Sequence, residues 1–265
     1  MSPVSGRERM RFGGVLRTAL AVLTATLVLG TGALGVAVAE AAPSAGSVLP
    51  AQASPPTSLR EWVAKVVYPT TARSQPGAAL ADSLFTVSPV SAWGTPTKLL
   101  VLGSRLDSAG RLWLRVLFDY RPNGYAAWID SEDTILYADS WRISVLRARH
   151  EMLIYRAGRL MRTFAVVVGK PSTPTPAGLF AVAAELRQPD RGEFEGSWVL
   201  PLTAHSDVLS HFAGGDGQIA LHGRGGASLQ DPLGTARSHG CVRLANEAIA
   251  WIATNVPAGT PVRVR

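Results

Sequence analysis

The chain of 265 residues holds one cysteine, Cys241, so it can form no intramolecular disulfide. Lysine is scarce: Lys65, Lys98 and Lys170 are the only three among 26 basic residues, and arginine supplies the rest. Arg7, Arg9, Arg11 and Arg17 against Glu8 give +3 of the formal +7 net charge to the first 39 residues, which leaves +4 to the rest. The remaining excess is mild and spread along the chain. It suits attraction to an anionic surface. It does not form a basic stripe, and no base-reading motif accompanies it, so nucleic acid is excluded as an expected partner. No internal repeat is visible. Charged residues make up 17% and apolar residues 47%, the balance of a globular chain and not of a disordered one. The length allows two small domains, each with its own core.

What is present begins at the N-terminus. A basic stretch, 7–17, precedes an uncharged run of 22 residues, Thr18 to Ala39. The run ends in Ala37-Val38-Ala39, a small-x-small cleavage pattern, and is also long enough to span a bilayer. Residues 1–39 are therefore expected to be a signal peptide or a membrane anchor, with the positive flank left inside. Glycines 30, 32 and 35 weaken the helix and favour cleavage. Under either reading the remainder is expected to be exported, to the cell wall or the outer face of the cytoplasmic membrane. Residues 40–57, rich in Ala, Ser and Pro, read as a flexible linker.

The fold class expected for the rest is mainly β. Over 58–138 short apolar pieces recur between Pro and Gly: Val66 to Tyr68, Ser83 to Val87, Lys98 to Leu102, Trp113 to Phe118 and Ala127 to Ile129. Arg121-Pro122-Asn123-Gly124 is a strong turn signal. This pattern predicts a small barrel or sandwich, and its Trp-Leu-Arg-Val … Pro-Asn-Gly … Trp-Ile run resembles SH3-like modules. Such a module either binds the wall or serves as a structural companion. Over 141–265 the pattern predicts strands at Arg142 to Leu146, Glu151 to Arg156 and Arg159 to Val168, then Gly178 to Ala183, Ser197 to Leu202, Gln218 to His222 and Val262 to Val264. Ala157-Gly158 is a hairpin turn. One or two helices are expected; the clear one is Asn246 to Asn255, with Asn246 able to cap its start.

The chemistry gathers in one segment. Leu221-His222-Gly223-Arg224 is followed by a polar loop and then by Ser238-His239-Gly240-Cys241-Val242-Arg243. A thiol needs a base or an electropositive site to act as a nucleophile near neutral pH. Strand, loop and turn can return His222 to Cys241. Gly240 lets the chain bend tightly in front of the sulfur, and the amides of Gly240 and Cys241 could face a developing oxyanion.

With fifteen residues between His222 and Ser238, this segment resembles the L,D-transpeptidases with a YkuD-type catalytic domain. Gly169-Lys170 … Thr173-Pro174-Thr175-Pro176-Ala177-Gly178-Leu179-Phe180 is a second hallmark of that family. The likeness covers about 141–265. The family often has Asn at the end of the motif, where this chain has Arg243. The resemblance implies that Cys241 attacks the carbonyl between meso-diaminopimelate and D-Ala of a tetrapeptide stem, with His222 as base, oriented by the carbonyl of Gly223. His239 would support the site. D-Ala would leave, and the thioester would pass to the amine of a second stem, giving a 3→3 cross-link. Water in place of the amine would give L,D-carboxypeptidase activity, and carbapenems would acylate the same cysteine. The expected partners are peptidoglycan stem peptides, as donor and amine acceptor, and the cell wall. Neither metal nor organic cofactor is required.

Other readings accompany this one. Cys241, His222 and His239 could ligate zinc, but structural zinc sites use four ligands at closer paired spacing. The whole could be a wall-binding protein with a degenerate enzyme domain. Arg224, Arg237 and Arg243, with Ser238, are substrate-binding candidates because Arg binds carboxylates bidentately. His205 either lines the cleft or is structural.

Overall fold

A computed structural model describes residues 54–212 and 214–265. The expected signal or anchor, 1–39, and residues 40–53 of the expected linker lie outside the described residues.

Seven strands come first: β1 (Glu61–Val66), β2 (Thr70–Arg73), β3 (Ser83–Val87), β4 (Lys98–Leu106), β5 (Leu112–Leu117), β6 (Ala126–Asp130) and β7 (Thr134–Asp139). They form one sheet in the order β3-β2-β6-β5-β4-β1-β7, and each neighbouring pair is antiparallel. Period-2 alternation sends Ala64 and Val66, Leu99 and Val101, Leu114 and Val116 to one buried cluster. The expected strand around Val66 to Tyr68 lies earlier, as β1, and β2 and β7 are additional. β2 is only four residues long. β7 is half-buried along most of its length, so neither shows a clear alternation in sequence.

The second part contains β8 (Trp141–Leu146), β9 (Glu151–Arg156), β10 (Arg159–Ala165), β11 (Val167–Gly169), β12 (Gly178–Ala181) and β13 (Leu186–Arg187). It continues with β14 (Trp198–His205), β15 (Gln218–His222), β16 (Thr235–Ser238), β17 (Val242–Arg243), the helix α1 (Asn246–Asn255) and β18 (Pro261–Val264). One sheet has the order β10-β9-β8-β18-β12 and the other β13-β14-β15-β17-β11-β16. Ala157 (φ +46°) and Gly158 (φ +77°) make the tight β9–β10 turn in the left-handed region. The stretch 159–168, expected as one strand, is divided. Val166 is fully buried and its N–H donates to the His150 carbonyl at 2.9 Å, so the chain leaves one sheet there and enters the other.

Helix α1 buries Ala248, Ile249 and Ile252 against the core that β8, β9, β14 and β15 share. Its N-cap is Ala245, without a side-chain cap. Asn246 does not cap the helix as expected; its side chain is engaged elsewhere, as described below.

The described residues belong to one compact unit, Val48–Arg265. Leu100 and Leu117 of the first sheet pack on Ala181 of β12. Thr260 Oγ1 donates to Asp139 Oδ2 at 2.7 Å. Glu61, at 1% exposure, is a second buried acid beside Asp139. Burial first, then the Asp139 charge, pushes its carboxyl up to about 8, against the pull of Arg142. The unfolded chain releases this proton near 4.5 while the folded chain keeps it to about 8, so the group lowers stability as pH rises between those values. Glu61→Gln is expected to melt higher than wild type at pH 8 and nearly equal to it at pH 4.5. Equal melting temperatures at both pH values would refute the shift.

Candidate active site

Parallel pairing of β15 with β17 builds the site. The register sets Leu221 opposite Val242 and His222 opposite Arg243, which brings Cys241, just before β17, to the level of Ala220. A loop that separates His222 from Ser238 in sequence thus closes on itself in space. His222, His239, Cys241 and Arg243 line one cavity of about 320 Å³. The first sheet reaches it too: Trp93, from the β3–β4 loop, forms part of the same wall.

The Ser-His-Gly-Cys turn is braced from both sides. Ser238 is fully buried; its Oγ donates to the Cys241 carbonyl at 2.6 Å and accepts from the Gly240 N–H at 3.1 Å. Gly240 has φ +127°, and an added Cβ would lie 2.7 Å from Ile219 Cδ1, so glycine is needed there. Thr175 Oγ1 accepts from the Gly169 N–H at 2.9 Å and donates to the Gly240 carbonyl at 2.8 Å. Lys170 N–H donates to the Ser238 carbonyl at 2.9 Å. The Thr/Pro-rich loop, expected only as a rigid marker of the fold, therefore clamps the Ser-His-Gly-Cys turn.

His222 is 3% exposed, and its Nδ1 lies 2.8 Å from the Gly223 carbonyl. A carbonyl can only accept, so Nδ1 carries the proton and Nε2 is the basic nitrogen of the neutral ring. Burial, assisted by the Arg243 charge, holds this imidazole down to about 4, against hydrogen bonding to Gly223 and Glu195. Burial pushes the Cys241 thiol up, while an Ala220 backbone hydrogen bond and Arg243 pull it down. Both shifts favour neutral thiol beside neutral imidazole over an ion pair. His239 stacks on Phe212 with centroids 5.0 Å apart, and its Nε2 is 3.3 Å from Lys170 Nζ. Partial burial and then Lys170 lower its pKa.

Several expected roles are redrawn. The Gly240 amide is taken by Ser238 Oγ, so it supports the turn and does not face an oxyanion. Of the three arginines only Arg243 lines the cavity; it is 4% exposed, bonded to Asp231 Oδ2 at 2.6 Å, and packed over the Phe194 ring. Arg224 turns to the Leu229 carbonyl, and Arg237 is exposed on β16. His205 does not line the cavity. It is 2% exposed, with Nε2 3.0 Å from Asp216 Oδ2, and so holds a wall residue from behind.

Sequence reasoning missed Asn246. Its Oδ1 accepts from the N–H groups of Ser197 (3.0 Å) and Arg224 (3.2 Å), and its Nδ2 donates to the Arg224 carbonyl (2.8 Å). It fixes the turn that presents the Gly223 carbonyl to His222. It also missed Arg121 and Asn123, which grip the 206–216 loop across the seam. Among the described residues, no three His, Cys, Asp or Glu side chains gather as a metal site would require.

Comparison with known proteins follows the same outline. The family model YkuD, the L,D-transpeptidase catalytic domain, matches residues 140–264. The YkuD protein of Bacillus licheniformis is 32% identical over 136 residues, which cover 51% of this chain and 70% of that protein. L,D-transpeptidase 1 of Mycobacterium tuberculosis is 28% identical over 124 residues, 43% of this chain and 46% of its own length. Among solved structures, L,D-transpeptidase 3 of the same organism has 14% identity and a TM-score of 0.40, over 64% of this chain and 91% of that one; so slight a likeness adds nothing to the sequence match. The chain belongs to the YkuD-type L,D-transpeptidase family.

Proposed function

We propose that the protein is an exported peptidoglycan L,D-transpeptidase that makes 3→3 cross-links through a thioester on Cys241. The observation that carries this reading is a cysteine and a tautomer-fixed histidine in one cavity, the histidine bonded to the Gly223 carbonyl at 2.8 Å. In the first step the Cys241 proton passes to His222 Nε2 as sulfur bonds to the carbonyl carbon between diaminopimelate and D-Ala. With the Gly240 amide occupied, the Cys241 amide is the donor for the oxyanion. The intermediate collapses, the C–N bond breaks, and His222 returns the proton to the departing D-Ala amine. A second stem's amine then attacks the thioester, His222 takes its proton, and the thiolate leaves and is reprotonated. Water in place of the amine gives the L,D-carboxypeptidase side reaction, and a carbapenem would acylate the same sulfur. Arg243 is the substrate-facing arginine in this reading, and His239 with Lys170 borders the entrance. The 58–138 segment is proposed as an SH3-like module that meets the wall.

Mass spectrometry of the protein incubated with a disaccharide-tetrapeptide tests the reading. Loss of D-Ala with a 3→3 dimer supports it. Loss of D-Ala without dimer, even with added acceptor stem, replaces it with a hydrolase. No reaction from the folded protein would favour a wall-binding role.

The pH dependence is a second test. The base form of His222 exists above its folded pKa of about 4, against an ordinary value of 6.5, so the acid limb of kcat/KM is expected near 4. A limb near 6.5 would mean that another group supplies the base.

A further inference from the structure

We propose that the outer face of the five-stranded sheet carries a binding site for a single phosphate group, built from Arg142, Ser144, Arg263 and Arg265 with Tyr155. These five residues line a cavity of about 270 Å³ that shares no residue with the catalytic one.

The sheet register assembles it. β8 and β18 run in parallel with Ser144 opposite Arg263, and β8 and β9 set Arg142 opposite Tyr155. Along β8, Ile143 and Val145 enter the core, so Arg142 and Ser144 point to the other face. Along β18, Val262 and Val264 enter the core and Arg263 points outward with them.

The Arg142 guanidinium lies 4.6 Å from the centroid of the Tyr155 ring. Stacking of this kind holds the plane and leaves its in-plane N–H donors available. Two donors of these lining residues are buried and have no partner: Arg142 Nε, and the hydroxyl of Ser144, a residue only 4% exposed. Buried donors without acceptors are costly and uncommon in folded proteins. Arg142, Arg263 and Arg265 take part in none of the ion pairs among the described residues. Glu61 interacts electrostatically with Arg142 but forms no ion pair with it among the described residues, and its own burial pushes its carboxyl up to about 8.

Three arginines and a hydroxyl line this one cavity. A carboxylate offers two oxygens in one plane, whereas a tetrahedral phosphate presents oxygens to all four groups. The cavity lies below the roughly 300–1,000 Å³ of drug-sized pockets, which suits a small anion or a headgroup. A soluble phosphate and a phospholipid headgroup share this chemistry. The site does not depend on the transpeptidase reading.

Isothermal titration of the whole protein with inorganic phosphate, ionic strength held constant with chloride, tests it. One saturable site is expected, weakened about tenfold or more by Arg263→Gln, which removes a charged donor from an exposed position. Ser144→Ala should also weaken binding, yet leave the melting temperature without phosphate equal or higher, because it removes an unpaired buried hydroxyl. Cys241→Ala should bind as wild type does. Vesicles of phosphatidylglycerol in phosphatidylcholine then identify the source. Cosedimentation that Arg263→Gln abolishes assigns a lipid headgroup, and phosphate binding without cosedimentation assigns a soluble phosphate. No saturable phosphate binding, or binding indifferent to both Arg263→Gln and Ser144→Ala, overturns the proposal.

Discussion

Cys241→Ala is expected to lower D-Ala release by about four orders of magnitude or more, the scale seen when a nucleophile is removed from a unit that acts together. The chain has no second thiol to substitute. The loop that carries the sulfur is held by backbone and hydroxyl groups, so the variant should keep its fold. Ser238 Oγ bonds the Cys241 carbonyl, and Thr175 Oγ1 bonds the Gly240 carbonyl; neither contact involves the sulfur. Melting temperature and product mass, measured on the same preparation, separate lost chemistry from lost structure. Cys241→Ser should be almost as inactive, because a hydroxyl surrenders its proton to a neutral imidazole far less readily than a thiol does. Activity that survives in folded Cys241→Ala protein would place the nucleophile elsewhere.

The second large effect is expected far from the sulfur. Arg121 donates through Nη1 to the Ser206 carbonyl (2.8 Å), and through Nη2 to the carbonyls of Leu209 (2.9 Å) and Asp216 (2.8 Å). Asn123 adds bonds to the His205 carbonyl (2.7 Å), the His205 N–H (2.8 Å) and Asp207 Oδ1 (2.9 Å). Ser206, Leu209, Phe212 and Asp216 from the gripped loop line the catalytic cavity, and Phe212 carries His239 on its ring. Arg121→Ala with Asn123→Ala should therefore let one wall of the cavity drift. A displacement of about 1 Å can cost 10²-fold, and a fall of that order in kcat/KM is the expected result. The reactivity of Cys241 toward a small thiol reagent, which does not need the wall, should change little. Arg121→Lys should not restore the rate, since one ammonium cannot replace a planar fork that serves three carbonyls. A double variant with normal kcat/KM would show that the wall stands without the clamp.

These two predictions mark what was legible in the sequence. Cys241 and His222 stand in a short segment whose spacing survives folding, because parallel pairing of β15 with β17 simply closes the intervening loop. The helix Asn246–Asn255 was equally plain from its apolar face. Arg121 and Asn123 could be read only as a turn, since their partners lie more than eighty residues away and all but Asp207 Oδ1 are backbone groups that any sequence supplies. Asn246 misled for a related reason. Its position suits a cap, but the chain's close approach at Gly196 and Gly223 brings competing backbone donors to it; an added Cβ at either glycine would fall within 2.2 Å of its Oδ1. Arg224 and Arg237 looked like substrate ligands because they are near the motif in sequence, yet neighbours along a strand or loop face different ways. β16 and β17 were too short to show a period at all.

The neutral pair at Cys241 and His222 also governs what happens between substrates. Oxidants and alkylating agents react with thiolate, and burial keeps this sulfur in its protonated form. The protein therefore rests in a redox-quiet condition. Its sulfur is expected to be slow toward peroxide and has no second cysteine with which to pair; in the proposed reaction it gains nucleophilic character only as its proton passes to His222.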